Sequence, residues 1–469
     1  TRLLFREEAV KTKHLVALCY LMGSVLAIAP LGAQATPKIK FEKYTLPNGL
    51  EVILHEDHST PIVSVDTWYH VGSGDEQIGR TGFAHLFEHI MFMGSQNVPV
   101  GAFDQMLEAA GADNNGSTNE DRTNYYENLP SNALALALWL DADRMGFLLP
   151  TMDLAKLNLQ RDVVKNERRQ RVDNVPYGRA DETILAALYP PSHPYSWPVI
   201  GSMADLSAAS VDDVKNFFRT YYAPNNATVA IAGDFDPVAV KKLVAQYFGP
   251  IPRGPAVKRR TTVPAVILPR DKFIVLEDKV QLPRLFYTWP TVKLYAPDDA
   301  TLDILALVLA NDKNSRLYKK LVYELQIAQN ARAFQESGRL DGKFQVDVTP
   351  MPGQKVTDID QVVRTEITNI IDKGISTREL QRAQNSYKAS FLDRLASVLG
   401  KADQLNTYNY FAGNPDYVQQ DAARYERVTA ADVQRVARKY LGKPKIVLTV
   451  VPEGKKDMML TAAAAGGAR

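Results

Sequence analysis

Cysteine is almost missing from this chain of 469 residues: Cys19 is the only one. Disulfides and thiolate metal sites are excluded as organising devices on that ground. Histidine is scarce as well, seven in all, and none follows His193. Any histidine chemistry therefore belongs to the first half. A dominant sign of charge is also lacking. The formal net charge is +2, and setting aside Arg2, Arg6, Lys11 and Lys13 with Glu7 and Glu8 leaves 51 basic and 51 acidic residues from position 36 onward. A surface for nucleic acid or another polyanion is not indicated. Beyond the opening segment no apolar run approaches the roughly 18 residues that would suggest a membrane span. What is present is ordinary globular composition, 45% apolar and 23% charged, with 27 Gly and 27 Pro in no fixed period. At this length two or more hydrophobic cores are expected.

The opening segment has its own logic. Lys11 and Lys13 precede an apolar run from Leu15 to Ala29, which stops at Pro30 and Gly32 and reaches Ala33-Gln34-Ala35. Basic, then apolar, then A-x-A is the layout of a secretory signal peptide, and the run is shorter than the roughly 20 residues that span a bilayer. Cleavage near Ala35 is expected, giving a product without cysteine or permanent membrane anchor, exported to the periplasm or beyond in a bacterium.

Two stretches then repeat. Residues 210–221 with 228–232 correspond to residues 429–440 with 447–451 at an offset of 219, which places Asp213, Val214, Arg219 and Tyr221 on Asp432, Val433, Arg438 and Tyr440. In each copy a Ser or Thr suited to an N-cap, Ser210 or Thr429, opens a helical pattern that feeds a β-branched strand. Between them lie Pro250, Pro252, Pro255, Pro264 and Pro269, a density that resists helix and sheet and reads as a linker. The expected organisation is a signal segment over 1–35, a first domain over 36–250, a linker over 251–269, a second domain over 270–455 and a frayed tail over 456–469. Asn48-Gly49 is a hairpin turn signal between two strand patterns, and alternation returns over 61–69. Helical patterns follow near 83–93, 102–110, 131–146, 153–172 and 211–221. Sheet packed against helices is the reading.

His85-Leu-Phe-Glu88-His89 stands in an apolar helical stretch between Gly82 and Gly94. At about 100° per residue, His89 lies about 40° from His85 and Glu88 about 60° on its other side, so the three share a face. Two imidazoles one turn apart can hold a zinc ion. Glu88 stands beside them, placed to take a proton from a water whose pKa the metal lowers from about 15.7 toward 7. The pattern is H-x-x-E-H, a metalloprotease signature. A catalytic zinc takes a third protein ligand and leaves one position open. The charged helical segment 159–171 offers Glu167 and Asp162, and spacing alone does not choose between them.

These residues resemble the M16 family of zinc peptidases, the pitrilysin, insulin-degrading-enzyme and mitochondrial-processing-peptidase group. The match runs through Leu46-Pro-Asn-Gly49, Gly72-Ser-Gly74, Glu76, Gly82 to His89, Phe92-Met-Gly94, Asn115-Gly-Ser-Thr118, Thr123-Asn-Tyr125 and Val199-Ile-Gly201. The resemblance implies His85, His89 and Glu167 as ligands of one Zn2+ per chain, with Glu88 as base. It also implies an α+β fold of two homologous domains, each a mixed sheet with helices on one face, forming half of a clam shell. Where members often have a further glutamate, this chain has Gln160, taken as a supporting position. The offset of 219 carries His85, Glu88 and His89 to Ile304, Leu307 and Val308, so the second domain lacks ligands. The resemblance further implies that an unfolded peptide pairs with an edge strand containing Asn115, Gly116, Ser117 and Thr118.

One departure matters. An arginine and a tyrosine that single-chain members use on substrate and oxyanion fall here on Val322 and Gln329, while Arg316 and Tyr323 have the same separation in another register. The expectation is a zinc endopeptidase subunit completed by a homologous partner that lacks the zinc motif but supplies the missing Arg and Tyr. A non-catalytic scaffold of the same fold and a zinc hydrolase of a small molecule are the alternatives.

Overall fold

The structure is a computed structural model and describes residues 38–466. The expected signal segment, 1–35, lies outside the described residues. Strand β1 (Glu42–Thr45) turns at Asn48-Gly49 into β2 (Glu51–Glu56), with Gly49 at φ 95°. Asn48 is buried because its side-chain amide donates to the carbonyls of Phe248 and Ile251. With β3 (Ile62–Tyr69), β4 (Asp113–Thr118), β5 (Thr123–Pro130) and β6 (Ala227–Gly233), these strands form a sheet in the order β1-β2-β6-β3-β5-β4. Strand β6, apolar but for Thr228, is buried along its whole length as suits a central strand. It runs parallel to β2; every other pairing in the sheet is antiparallel.

A second sheet repeats this plan. Its strands β7 (Lys272–Asp278), β8 (Arg284–Pro290), β9 (Ala328–Ser337), β10 (Gly342–Pro350) and β11 (Ile446–Pro452) lie in the order β7-β11-β8-β10-β9. Only β7 and β11 are parallel. Each strand of the second sheet has a counterpart in the first, with β1 the addition. Ser210 and Thr429 both close capping boxes, with Asp213 and Asp432 respectively.

Each sheet packs its own helices on one face. In the first half Val52, Val63, Phe87, Ile90 and Leu138 meet in one core; in the second Tyr287, Ile304, Val308, Val346 and Val433 do. The opposite faces are not bare. Helix Val398–Thr407, late in the chain, lays Ala402 and Leu405 against Ile53, Ala230 and Ala232 of the first sheet. Reciprocally, Ile184 of helix Ala180–Leu188 packs on Phe286, Leu448 and Val450 of the second. The halves thus exchange covers, and Ile39 onward forms one compact unit. Residues 252–268 have no helix or strand. Past 456, where fraying is expected, Leu460 is buried and a short helix, Ala462–Gly466, lies against helix Val356–Lys373, because the second core has apolar surface left to cover. No helix among the described residues is long and apolar enough to cross a membrane.

Candidate metal centre

Between β3 and β4 the chain forms helix Phe83–Ile90, which presents His85, Glu88 and His89. Gly82 starts it at φ 87°, and a Cβ there would lie 2.8 Å from the Ile200 carbonyl oxygen. A Cβ on Gly201 would lie 2.4 Å from the Gly82 Cα. Backbone meets backbone, so the cap position has no side chain with which to accept the first helical N–H groups. Glu76 supplies the acceptors from upstream: Oε2 accepts from Gly82 N at 2.9 Å and Oε1 from Ala84 N at 2.8 Å. The Trp197 indole donates to Glu76 Oε2 at 3.1 Å. Asp205 Oδ2 takes the N–H and hydroxyl of Thr81. On the sheet side, the Tyr125 hydroxyl donates to the Phe87 carbonyl.

The ligand candidates converge. Helix Leu154–Arg168 packs against the motif helix and brings Glu167 Oε2 to 3.0 Å from His89 Nε2 and 3.5 Å from His85 Nε2. The two imidazoles stand at 88° with centroids 4.9 Å apart. One donor atom from each of the three residues lies within 4.8 Å of the others, and no other such group of three exists among the described residues. Burial, with the neighbouring His89, pushes His85 down to about 4. The His89 hydrogen bond, against burial and with help from His85 and Arg171, holds Glu167 below the usual carboxylate range. Two imidazoles and a carboxylate suit zinc, and three protein donors leave it a fourth position. Asp162, the other candidate, points into solvent. Gln160 is buried and donates to the Met93 sulfur just beyond the motif helix.

Glu88 faces the edge of the sheet. Its Oε2 accepts from the Thr118 hydroxyl at 2.6 Å, which leaves Oε1 free of that bond. Burial raises the Glu88 carboxyl, and the Thr118 hydroxyl opposes the rise. Strand β4 is an outer strand, so the backbone of Asn115, Gly116, Ser117 and Thr118 has a neighbour on one side only. A Cβ on Gly116 would stand 3.1 Å from Glu88 Cγ, which sets how closely strand and helix approach. Arg122 donates to the Ser117 carbonyl and hydroxyl, pinning the end of the strand.

In the second half Val322 packs against the core and Gln329 is exposed on β9. Arg316 is bound by both oxygens of Glu379, at 2.6 and 3.0 Å, and by the Gly374 carbonyl. Tyr323 is half exposed. Sequence reasoning assigned no role to Glu76 and read Thr118 only as a candidate for peptide contact. The spacings that would reveal them, six residues from Glu76 to Gly82 and thirty from Glu88 to Thr118, follow no helical or strand period.

Comparisons with known proteins bear on the family and the fold. Residues 51–192 match the family described as "Insulinase (Peptidase family M16)", and residues 208–387 match "Peptidase M16 inactive domain". The chain is 29% identical over 409 residues to the zinc protease PqqE of Helicobacter pylori, covering 86% of this chain and 90% of that protein. To the probable mitochondrial-processing peptidase subunit beta of Arabidopsis thaliana it is 24% identical, covering 87% and 77%. A crystal structure of a protease from Helicobacter pylori superposes with a TM-score of 0.81 at 26% identity, over 89% of this chain and all of that one. The periplasmic protease PqqL of Escherichia coli superposes at 0.75 with 20% identity, over 92% of this chain but 50% of that one, so this chain matches about half of that one. With both family descriptions matched in order along the chain and the two-sheet fold shared, this protein belongs to the M16 family of peptidases, in its short two-domain form.

Proposed function

We propose that this chain is the zinc-bearing subunit of a metalloendopeptidase that cleaves unfolded peptides. The observation that carries the reading is the convergence of His85, His89 and Glu167 on one point, with the unliganded Glu88 beside them and against an edge strand. His85 Nε2, His89 Nε2 and Glu167 would hold one zinc. When bound, the metal supplies a Lewis acid that polarises a peptide carbonyl and acidifies water. Glu88 Oε1 takes a proton from the attacking water as its oxygen bonds to the carbonyl carbon. It returns that proton to the departing amine nitrogen as the C–N bond breaks. Thr118 keeps the other carboxylate oxygen oriented. Asn115 to Thr118 pair with the peptide backbone, which demands an extended segment and so excludes a folded chain as substrate.

Oxyanion donors contribute on the order of 3 kcal/mol each; Val322 offers no donor in place of the arginine, and Gln329 replaces the tyrosine's phenol with an amide that lies exposed on β9. A homologous partner without the zinc motif, supplying those two groups across an interface, completes the site. That this chain matches half of the longer protease PqqL, whose first half also stands as a structure by itself, supports pairing. Zinc analysis and hydrolysis of an unstructured peptide, with the purified chain alone and mixed with such a homologue, test the reading. About one zinc per chain and activity that requires the mixture are expected; no zinc and no hydrolysis in either preparation favour a scaffold. Hydrolysis of small non-peptide substrates alone points to the third reading. Export follows from the segment ending at Ala35, and a mature N-terminus near Thr36 is its test.

A further inference from the structure

The motif helix is short, eight residues, and its first turn contains His85. Short helices fray from ends whose N–H groups have no acceptor. Here the cap residue is Gly82, held without a side chain by its contact with Ile200 and Gly201. We propose that Glu76 is a positioning residue of the zinc site, whose two carboxylate oxygens lock the first turn of the motif helix so that His85 stays in register with His89 and Glu167. The inference rests on the zinc reading given above.

Three observations support it. Both oxygens of Glu76 are used, one on Gly82 N and one on Ala84 N, so the clamp brackets the turn that precedes His85. The Leu86 N–H then closes that turn on the Gly82 carbonyl at 2.9 Å. The clamp is itself held, because the Trp197 indole donates both to Glu76 Oε2 and to the Ser73 carbonyl, fixing the loop from which Glu76 projects. Glu76 is buried and touches neither Glu88 nor a ligand side chain in any of these bonds. Its effect must pass through the helix backbone. His85 would feel it most, since its Nδ1 is buried with no hydrogen-bond partner among the described residues and nothing on that side of the ring fixes it apart from the helix.

The test is zinc affinity of the full chain, measured by competition with a chromophoric chelator. Glu76→Gln keeps size and one acceptor oxygen but turns an N–H donor toward a backbone N–H. Zinc affinity is expected to fall about tenfold or more, the range for residues that support metal ligands from behind. Val433→Ala, in the second core, serves as a variant of lowered stability and should keep wild-type affinity, which separates positioning from general destabilisation. Trp197→Phe, removing only the indole donor, should weaken zinc binding by a smaller factor, two- to fivefold, and decides the matter if Glu76→Gln does not fold. Wild-type protein that takes up no zinc overturns the site reading and this inference with it. Wild type that binds zinc, with Glu76→Gln or Trp197→Phe binding equally well, overturns this inference alone.

Discussion

Helix Phe83–Ile90 in the first half and helix Asp299–Ala310 in the second leave equivalent strands and lead to equivalent edges, β4 and β9. Each packs against the second long helix after its hairpin, Leu154–Arg168 in one half and Thr377–Arg394 in the other. What differs is the face turned to that helix. The first turns His85 and His89 to Glu167 and Glu88 to the sheet edge; at the corresponding positions the second has Ile304, Leu307 and Val308, and the offset of 219 puts Ser386 where Glu167 would be. His85 and Ile304 are both buried and Glu88 and Leu307 both half-buried, so the burial differs at the third position, where Val308 is fully buried and His89 is not. There the second helix buries one more large apolar side chain, worth about 1.5–3 kcal/mol. The first helix stays open toward the sheet edge at Glu88 and His89, and Glu76 holds its first turn from outside.

Removing a ligand should widen this contrast most. His85→Ala, His89→Ala and Glu167→Ala are each expected to lose zinc, and with it all measurable peptide hydrolysis, because three donors cannot lose one and keep their geometry. Zinc content unchanged in all three would equate the two helices and remove the site. Next comes Glu88→Gln, which keeps shape but accepts no proton. Zinc should remain while kcat falls by roughly 100-fold or more, and full activity would assign the base elsewhere. In the second half the same kind of change should act on stability instead. Ile304→Ala is expected to cost about 2–5 kcal/mol in urea unfolding with zinc content unaltered. A loss of zinc at wild-type stability would mean that the second helix serves the metal.

The contrast also marks what the sequence made legible. Periods of 3.6 residues place His85, Glu88 and His89 on one face, Ser210 and Thr429 announce their helix starts, and Asn48-Gly49 announces its hairpin, because each signal is contained within a few residues. The repeat of the two halves is visible as well, since it is a comparison of local patterns. Glu167 and Asp162 are a different case: both occupy one charged helix, and only its docking against the motif helix turns Glu167 inward. The exchanged helices, Ala180–Leu188 and Val398–Thr407, have readable apolar faces, yet an apolar face does not state which sheet it will cover. Glu76 is beyond reach for the same reason, as its partners are backbone N–H groups brought near by a turn.

The smallest expected effect concerns Arg316, whose separation from Tyr323 copies that of the arginine and tyrosine used by single-chain relatives. In the structure its guanidinium forks onto Glu379 and reaches the Gly374 carbonyl, so its donors are engaged within the second half. Burial of Glu379 opposes ionisation, but the Arg316 fork and the N–H and hydroxyl of Ser376 outweigh it and hold the carboxyl at about 2. A folded-state value below the unfolded one of about 4.5 means that this group adds stability above that pH and loses it as the pH falls toward 2. The pair is partly exposed, so its contribution is under about 1 kcal/mol. Arg316→Ala should therefore lower stability by up to about 1 kcal/mol at neutral pH and flatten the acid limb between pH 4.5 and 2, where the difference from the wild type closes. Peptide hydrolysis, under whatever pairing the wild type requires, should stay at the wild-type rate. A fall in kcat in Arg316→Ala, matched by Tyr323→Phe, would place both groups at the reaction centre and make the outside partner unnecessary.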